Sequence, residues 1–301
     1  MRIVIANDDT HWGDRDPDLA RLGAASLAPE YLARALRARG HEISRQSAFA
    51  KATADAAIVS RNRYLADGVA ARAKFVWTGD EHNAERWEDY PELRTVCTSR
   101  YLANIVGRRV PVEAVIPVGV PDGLFEIPIE PIRRFRCYTS GVWDPCRGVL
   151  ESLAAFALTV ASGARLELFG DGRLWGREPD AYADAVRAAV AESNGRCVAH
   201  GTVSHTAMLA ALPRLGILLH MATSETCGVA VTEAMAAGIP VVTTGAAALA
   251  ELGIEHPCAS TGQAVGELGR LMADPAYYTR VAAANRERVC DRAWSRIARR
   301  W

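Results

Sequence analysis

Short apolar runs rich in β-branched residues alternate along most of the chain with longer segments of helical periodicity. Residues 2–6 (RIVIA) predict a buried strand, and residues 27–39 (LAPEYLARALRAR) predict an amphipathic helix that ends at Gly40. A second helix is predicted at residues 61–72, followed by a strand at residues 74–78. Strands separated by helices are typical of parallel sheets covered by helices. The sequence therefore predicts an α/β fold.

Residues 117–131 (PVGVPDGLFEIPIEP) interrupt this alternation. Prolines and glycines are so frequent here that neither a helix nor a central strand is expected, and an interdomain linker is predicted. The chain of 301 residues suits about two domains. We expect two α/β domains, at residues 1–125 and 126–285, followed by a C-terminal helix at residues 286–301.

Charge and cysteine content exclude several classes of protein. The 35 Lys and Arg residues balance the 35 Asp and Glu residues, which argues against a surface built for polyanions. The seven cysteines form no C-x-x-C pair, so neither a disulfide scaffold nor a zinc site is predicted. The sequence shows no signal-peptide core and no apolar run long enough to span a membrane. A cytoplasmic protein without an integral membrane segment is expected.

The segment at residues 224–242 (SETCGVAVTEAMAAGIPVV) carries the most chemical information. It follows a predicted strand and enters a predicted helix near Gly228, where unpaired backbone N–H groups favour phosphate. Glu225 lies in the loop, where it can accept hydrogen bonds from sugar hydroxyls. Glu233 lies about one and a half turns into the helix, at the distance of a ribose from a helix-bound diphosphate. An isolated pair of acids with this spacing is usually a loop acid and a solvated helix acid, but here the whole string favours a ligand site.

The whole string resembles the E-x7-E signature of retaining glycosyltransferases with the GT-B fold, family four in the carbohydrate-enzyme classification. Only Cys227 departs, at a position that is usually aromatic. Residues 166–172 (LELFGDG) resemble the family's G-D-G turn, and residues 200–203 (HGTV) resemble its G-x-V element. The similarity covers nearly the full chain and is strongest over residues 135–245.

This resemblance implies two Rossmann-like domains facing a cleft, with the C-terminal helix packing back toward the N-terminal domain. It also implies a nucleoside-diphosphate sugar as co-substrate, of which a UDP-sugar is favoured, and no metal or other cofactor. Sugar transfer would proceed by front-face substitution, with the leaving phosphate helping to deprotonate the acceptor.

The resemblance assigns site residues in the second domain. Glu225 would hold the sugar hydroxyls, Glu233 the ribose, and Arg147 the diphosphate. The backbone near Cys227, Gly228 and Val229 would bind phosphates, and Gly141 and Val203 would line the donor. The family's G-R-L-x-x-x-K-G element here reads GVWDPCRG, so Arg147 takes the lysine position while Val142 replaces the arginine. Arg173, just after the G-D-G turn, is the expected substitute cation.

In the first domain the candidates are fewer, because this half is shorter than is common in the family. His11 and Trp12 follow the first strand, where acceptor-binding loops lie in parallel sheets. Gly23 loosely matches the family's early glycine-rich loop. Asp80 and His82 both match the region where the family often carries a histidine near the reacting sugar, and a surface-loop role is equally expected for either.

Two hypotheses rival the transferase. The lost arginine and the short first domain fit a catalytically weak nucleotide-sugar-binding protein or subunit, and a GT-B-fold nucleotide-sugar epimerase would share the site. The acceptor also stays open between a small molecule, a glycan and a modified base in DNA, with DNA disfavoured by the neutral charge. The sequence sets no oligomeric state.

Overall fold

The computed structural model describes residues 1–7, 24–46, 52–60, 67, 69–79, 90–159, 163–172 and 180–301. These residues divide into two compact units, Met1–Pro121 with Arg292–Trp301, and Asp122–Asp291. The break lies just before the predicted boundary at residue 125. The end of the chain belongs to the first unit, whereas the sequence had placed a separate helix from residue 286 onward.

The first unit contains a six-stranded parallel sheet with the strand order β2-β1-β3-β4-β5-β6. Its elements are β1 (Arg2–Ala6), α1 (Ala24–Ala38), β2 (Glu42–Gln46), β3 (Ala52–Ser60), β4 (Val69–Thr78), β5 (Leu93–Cys97), α2 (Arg100–Val106) and β6 (Val112–Val115). Strand β1 is buried at every position after Arg2, as expected for a strand inside a parallel sheet. Leu32 and Leu36 of α1 pack in one core cluster with Ile3 and Ile5 of β1.

One helix prediction in this unit is wrong. Residues 69–72 were expected to end a helix, but they begin β4, and Val69 pairs with Ala52 of the neighbouring strand. The alanines and arginines of this stretch favour helix locally, and the pairing with β3 along its whole length overrides that preference.

The second unit contains a five-stranded parallel sheet with the order β11-β10-β7-β8-β9. Its strands are β7 (Arg136–Ser140), β8 (Arg165–Phe169), β9 (Cys197–Ala199), β10 (Ile217–His220) and β11 (Val241–Thr243). Its helices are α3 (Val149–Leu158), α4 (Ala181–Glu192), α5 (His205–Ala211), α6 (Val229–Ala236), α7 (Thr261–Ala273) and α8 (Pro275–Arg288). The strand predicted before residue 224 and the helix predicted near Gly228 are both present, as β10 and α6.

The end of the chain packs on the first unit. Val120 forms an isolated parallel bridge with Ala293, and the short helix α9 (Trp294–Ile297) follows. Trp294 stacks on Tyr31 of α1, with ring centroids 6.0 Å apart. The chain therefore returns from the second unit to the core of the first, as the resemblance implied, although through one helical turn and not a long helix.

Among the helices in the described part of the chain, none is both long enough and apolar enough to cross a membrane.

Candidate active site

The sheet of the second unit has a topological switch point between β7 and β10. These strands pair directly, with Ile217 opposite Cys137, while the chain continues from β7 to β8 on one side and from β10 to β11 on the other. In open parallel sheets, ligands bind outside the carboxyl ends of the strands at such a point. The loops at residues 141–148 and 221–228 leave the sheet there, and they carry Arg147 and Glu225.

The two loops are packed tightly together. The carbonyl oxygen of Cys146 accepts a hydrogen bond from the backbone N–H of Thr223 at 2.9 Å. Gly148 adopts a φ of +62°, and a Cβ at this position would lie 1.9 Å from the carbonyl oxygen of Met221. Asp144 caps the single turn Pro145–Arg147 by accepting from the Cys146 N–H at 2.9 Å. Only glycine permits the close contact of residue 148 with Met221. This contact brings Arg147 beside the loop at residues 221–228.

Among the described residues, the side chain of Glu225 contacts Arg147 and His220, and both contacts use the same carboxylate oxygen. The Arg147 guanidinium forms an ion pair with Oε1. Nε2 of His220, at the end of β10, lies 3.0 Å from Oε1 and donates its N–H, because a carboxylate only accepts. His220 is 2% exposed.

The surroundings of Glu225 keep its carboxylate ionised. Burial raises the pKa of Glu225, but the hydrogen bond and charge of His220, together with Arg147, outweigh that effect and lower the pKa to about 2. A carboxylate that stays charged at all physiological pH values is a strong acceptor for ligand hydroxyls.

Helix α6 begins at a glycine beside this cluster. Gly228 has a φ of +61°, which strains any residue with a side chain, and a Cβ there would displace Cδ2 of Leu249, 2.6 Å away. The helix start presents backbone N–H groups and the positive end of the dipole. Burial raises the pKa of the neighbouring Cys227 thiol to about 11, and the charge of Glu225 adds to this, so the thiol stays neutral.

Glu233 lies further along α6 and is held by a histidine. Nε2 of His205 lies 2.6 Å from Oε1 of Glu233, and both side chains are buried. Burial lowers the pKa of His205, but the hydrogen bond and charge of Glu233 outweigh it, so the pKa is raised. Ser204 caps α5 just before His205, by accepting from the Ala207 N–H at 3.1 Å. Val203 directly precedes this cap, which brings the G-x-V element toward Glu233.

The structure brings together most of the candidates in the second unit. Arg147 contacts Glu225, and Cys227, Gly228 and Val229 form the turn that leads from Glu225 into α6. The N–H of Gly141 is already paired with the carbonyl oxygen of Phe169 at 2.9 Å. Val142, which stands where the family has an arginine, is 3% exposed. The missing cation is therefore replaced by a side chain in the interior.

Several candidates cannot be placed. Six predicted site residues lie outside the described residues: His11, Trp12, Gly23, Asp80, His82 and Arg173. Their roles stay predictions.

Sequence reasoning missed both histidines that contact the two glutamates. His220 ends a buried strand, and a polar residue there is unusual in an otherwise apolar run. His205 follows the G-x-V element by two residues. Each histidine occupies a position that could have drawn attention in the sequence. Neither position indicates which glutamate the histidine contacts, because each contact joins residues on different elements.

No group of three metal-binding side chains lies together in the part of the chain that the structure describes.

Comparison with known families decides the nature of this unit. Residues 135–273 match the family described as glycosyl transferases group 1. The match lies within the second unit, spans less than half of the chain, and contains Arg147, Glu225 and Glu233. The prediction of a glycosyltransferase is confirmed at this level. No curated protein sequence matches the chain.

Solved structures share the fold of the whole chain. Sucrose-phosphate synthase from Thermosynechococcus elongatus matches with a TM-score of 0.73 at 16% identity, over 99% of this chain and 96% of that one. Alr3699/HepE from Anabaena, solved with UDP-glucose, matches with a TM-score of 0.74 at 14% identity, over 100% and 98%. AviGT4, a glycosyltransferase of avilamycin A biosynthesis, matches with a TM-score of 0.65 at 19% identity, over 99% and 95%. The predicted α/β fold with two parallel-sheet domains, as in GT-B glycosyltransferases, is confirmed.

Proposed function

We propose that this protein is a retaining glycosyltransferase that moves a sugar from a nucleoside-diphosphate sugar, with a UDP-sugar favoured, to an acceptor hydroxyl. The observation that carries the proposal is the ionised Glu225 carboxylate at the switch point, paired with Arg147 and followed directly by the start of α6. The similarity to Alr3699/HepE, whose structure holds UDP-glucose, supports the choice of donor.

In this proposal the diphosphate, the ribose and the transferred sugar each bind to named residues. The diphosphate binds at the backbone amides near Cys227, Gly228 and Val229, where the helix dipole favours negative charge. Arg147 supplies the positive side chain, and Arg173 is the candidate for a second one. Glu233, fixed by His205, accepts hydrogen bonds from the ribose hydroxyls. Glu225 accepts them from the transferred sugar, and Gly141 and Val203 line the donor.

The transfer needs no covalent nucleophile of the protein. The bond from the sugar C1 to the diphosphate oxygen breaks, and a bond from C1 to the acceptor oxygen forms on the same face. The acceptor proton goes to the departing phosphate oxygen. Charge grows on the diphosphate as the sugar leaves, and preorganised amides and Arg147 stabilise that charge. The proposed reaction accordingly uses no metal ion and no other cofactor.

The acceptor binds to the first unit in this proposal, with His11, Trp12, Gly23, Asp80 and His82 as candidate contacts. It is a small molecule, a glycan or a modified nucleic-acid base, and the neutral charge of the chain favours the first two. We place the reaction in the cytoplasm, where nucleotide sugars are available.

The test measures donor hydrolysis or transfer with Glu225→Ala and Arg147→Ala proteins. We expect both variants to keep their fold by circular dichroism and to lose turnover. Unchanged turnover in both would refute the assignment.

The buried Val142 favours one alternative, a nucleotide-sugar-binding protein with little activity, because the usual second cation is absent at that position. Calorimetry that shows tight donor binding without turnover across a broad acceptor panel would identify it. Product analysis in the absence of acceptor would reveal an epimerase instead.

A further inference from the structure

The proposed function gives Arg147 a role that conflicts with its observed contact. A guanidinium that binds the donor diphosphate must turn toward phosphate oxygens. Here it forms an ion pair with Glu225 Oε1 and lies 3.5 Å from the carbonyl oxygen of Ser224. When Arg147 turns to a diphosphate, Glu225 loses a counter-ion.

We propose that His220 is the positioning residue that holds the Glu225 carboxylate while Arg147 leaves it for the donor diphosphate. The inference rests on the proposed function and goes beyond it, because His220 touches neither donor nor acceptor in that scheme. Arg147 then contacts the Glu225 carboxylate when no donor is bound and the diphosphate when it is. His220 keeps donating a hydrogen bond to Glu225 in both states.

The geometry separates a fixed partner from a movable one. His220 ends β10, is 2% exposed and belongs to the sheet, so its ring has little freedom to leave Oε1. Arg147 lies on the single turn Pro145–Arg147, with a side chain that is 21% exposed. A long side chain at the edge of a loop reorients at lower cost than a buried ring at the end of a strand.

The second ring nitrogen of His220 supports the same assignment. Nδ1 is buried and has no hydrogen-bond partner among the residues that the structure describes. A ring that keeps one buried nitrogen unpaired loses part of its hydrogen bonding with water on folding, which destabilises the folded protein. A leucine would avoid that cost. The contact from Nε2 to Glu225 is the only benefit of the imidazole that the described residues show.

If Arg147 leaves Glu225 for the diphosphate, UDP affinity should depend on His220 only while residue 225 carries a charge. UDP carries the diphosphate without the sugar, so its binding tests the departure of Arg147 and not the contact of Glu225 with a sugar. In the wild type, His220 remains on Glu225 when Arg147 turns. In a His220→Leu protein, the movement of Arg147 leaves the buried Glu225 carboxylate without either contact, so UDP affinity falls. Replacing Glu225 by a neutral residue removes this loss of UDP affinity.

The experiment is a double-mutant cycle measured by calorimetry with UDP, with ADP and GDP as further probes. The proteins are wild type, His220→Leu, Glu225→Gln and the double variant. We expect His220→Leu to weaken UDP binding about tenfold or more in the wild-type background, as for loss of a hydrogen bond to a charged group. In the Glu225→Gln background we expect the same change to alter UDP affinity less than about threefold.

His220→Gln is the conservative variant, because its amide places an N–H near the position of Nε2, and we expect it to restore most of the UDP affinity. His256→Leu is the matched control, since His256 also faces a glutamate, at 3.4 Å from Glu255, but lies exposed elsewhere. We expect no change in that protein.

The outcomes are separable. An equal loss of UDP affinity from His220→Leu in both backgrounds, or no loss in either, overturns the inference while leaving the transferase intact. If the wild type binds none of the three nucleotides, the proposed function fails first. Thermal unfolding of every variant excludes a loss of affinity through misfolding.

Discussion

The two glutamates of the second unit are eight residues apart in the sequence, and their surroundings differ in kind. Glu225 lies in a loop between two packed segments and shares one oxygen between Arg147 and His220. Glu233 lies inside a helix, where His205 contacts its carboxylate. The pKa of the first carboxylate is lowered to about 2 by His220 and Arg147, whereas the second raises the pKa of the histidine that it contacts.

This difference matches two tasks. A carboxylate near the reacting sugar has to stay charged and fixed while the charge of the donor changes. The contacts with Arg147 and His220 keep Glu225 in that state. A carboxylate that holds a ribose remote from the reaction needs only a fixed direction. We therefore expect changes at Glu225 to affect the rate of transfer, and changes at Glu233 to affect the affinity for the donor.

The largest effect is expected from Glu225→Gln, which keeps the shape and removes the charge. Turnover of the donor should fall by about 10²–10³-fold, the range for loss of one preorganised polar group at a reacting centre. Steady-state kinetics should show the loss in kcat. Glu255→Gln, in an exposed cluster with Arg280 and Arg288, is the control and should leave kcat unchanged. A loss confined to KM would contradict the assignment of Glu225 to the sugar.

The second effect is on stability in acid. The pKa of Glu225 is about 2 in the folded protein and 4.5 ordinarily. A lowered pKa stabilises the fold above pH 4.5, and the contribution is lost as the pH falls toward 2. The difference corresponds to at most about 3 kcal/mol. Urea unfolding at pH 5 and pH 2.5 should show a smaller pH dependence in Glu225→Gln than in the wild type. Equal dependence in the two proteins would show that the contacts of Glu225 with His220 and Arg147 are weak in solution.

The sequence predicted the two glutamates and Arg147 because they belong to one local string and one short turn. It also predicted β1 and β10, since buried parallel strands are continuous apolar runs. It failed at Val69, where pairing with β3 overrides local helix preference, and at both histidines. His205 and His220 act through contacts between elements distant in the chain, and no spacing rule encodes which side chains the strand order brings together.

The third effect concerns the ribose. Glu233→Gln should weaken UDP binding about tenfold, because a charged acceptor for the ribose hydroxyls becomes a neutral one. Turnover at saturating donor should change only a few-fold. Calorimetry should show that the wild type prefers UDP over 2′-deoxy-UDP and that the variant binds both alike.

Pyrophosphate is the matched probe for this variant, since it lacks the ribose and should bind as in the wild type. If the affinity for pyrophosphate also falls, the substitution has disturbed the start of α6, and the effect on UDP says nothing about the ribose.

The smallest effect is the pH dependence that His205 confers, and its sign is opposite to that of Glu225. Glu233 raises the pKa of His205 above the ordinary 6.5, against the effect of burial. A raised pKa stabilises the fold fully below pH 6.5, and the contribution is lost as the pH rises through the folded-state pKa. Urea unfolding between pH 6 and pH 9 should therefore show a decline in the wild type that is reduced in His205→Gln. His256→Gln, whose imidazole is exposed, should decline as the wild type does. If His205→Gln and the wild type decline alike, the contact with Glu233 is a hydrogen bond without net charge, and the two carboxylates differ less than their surroundings indicate.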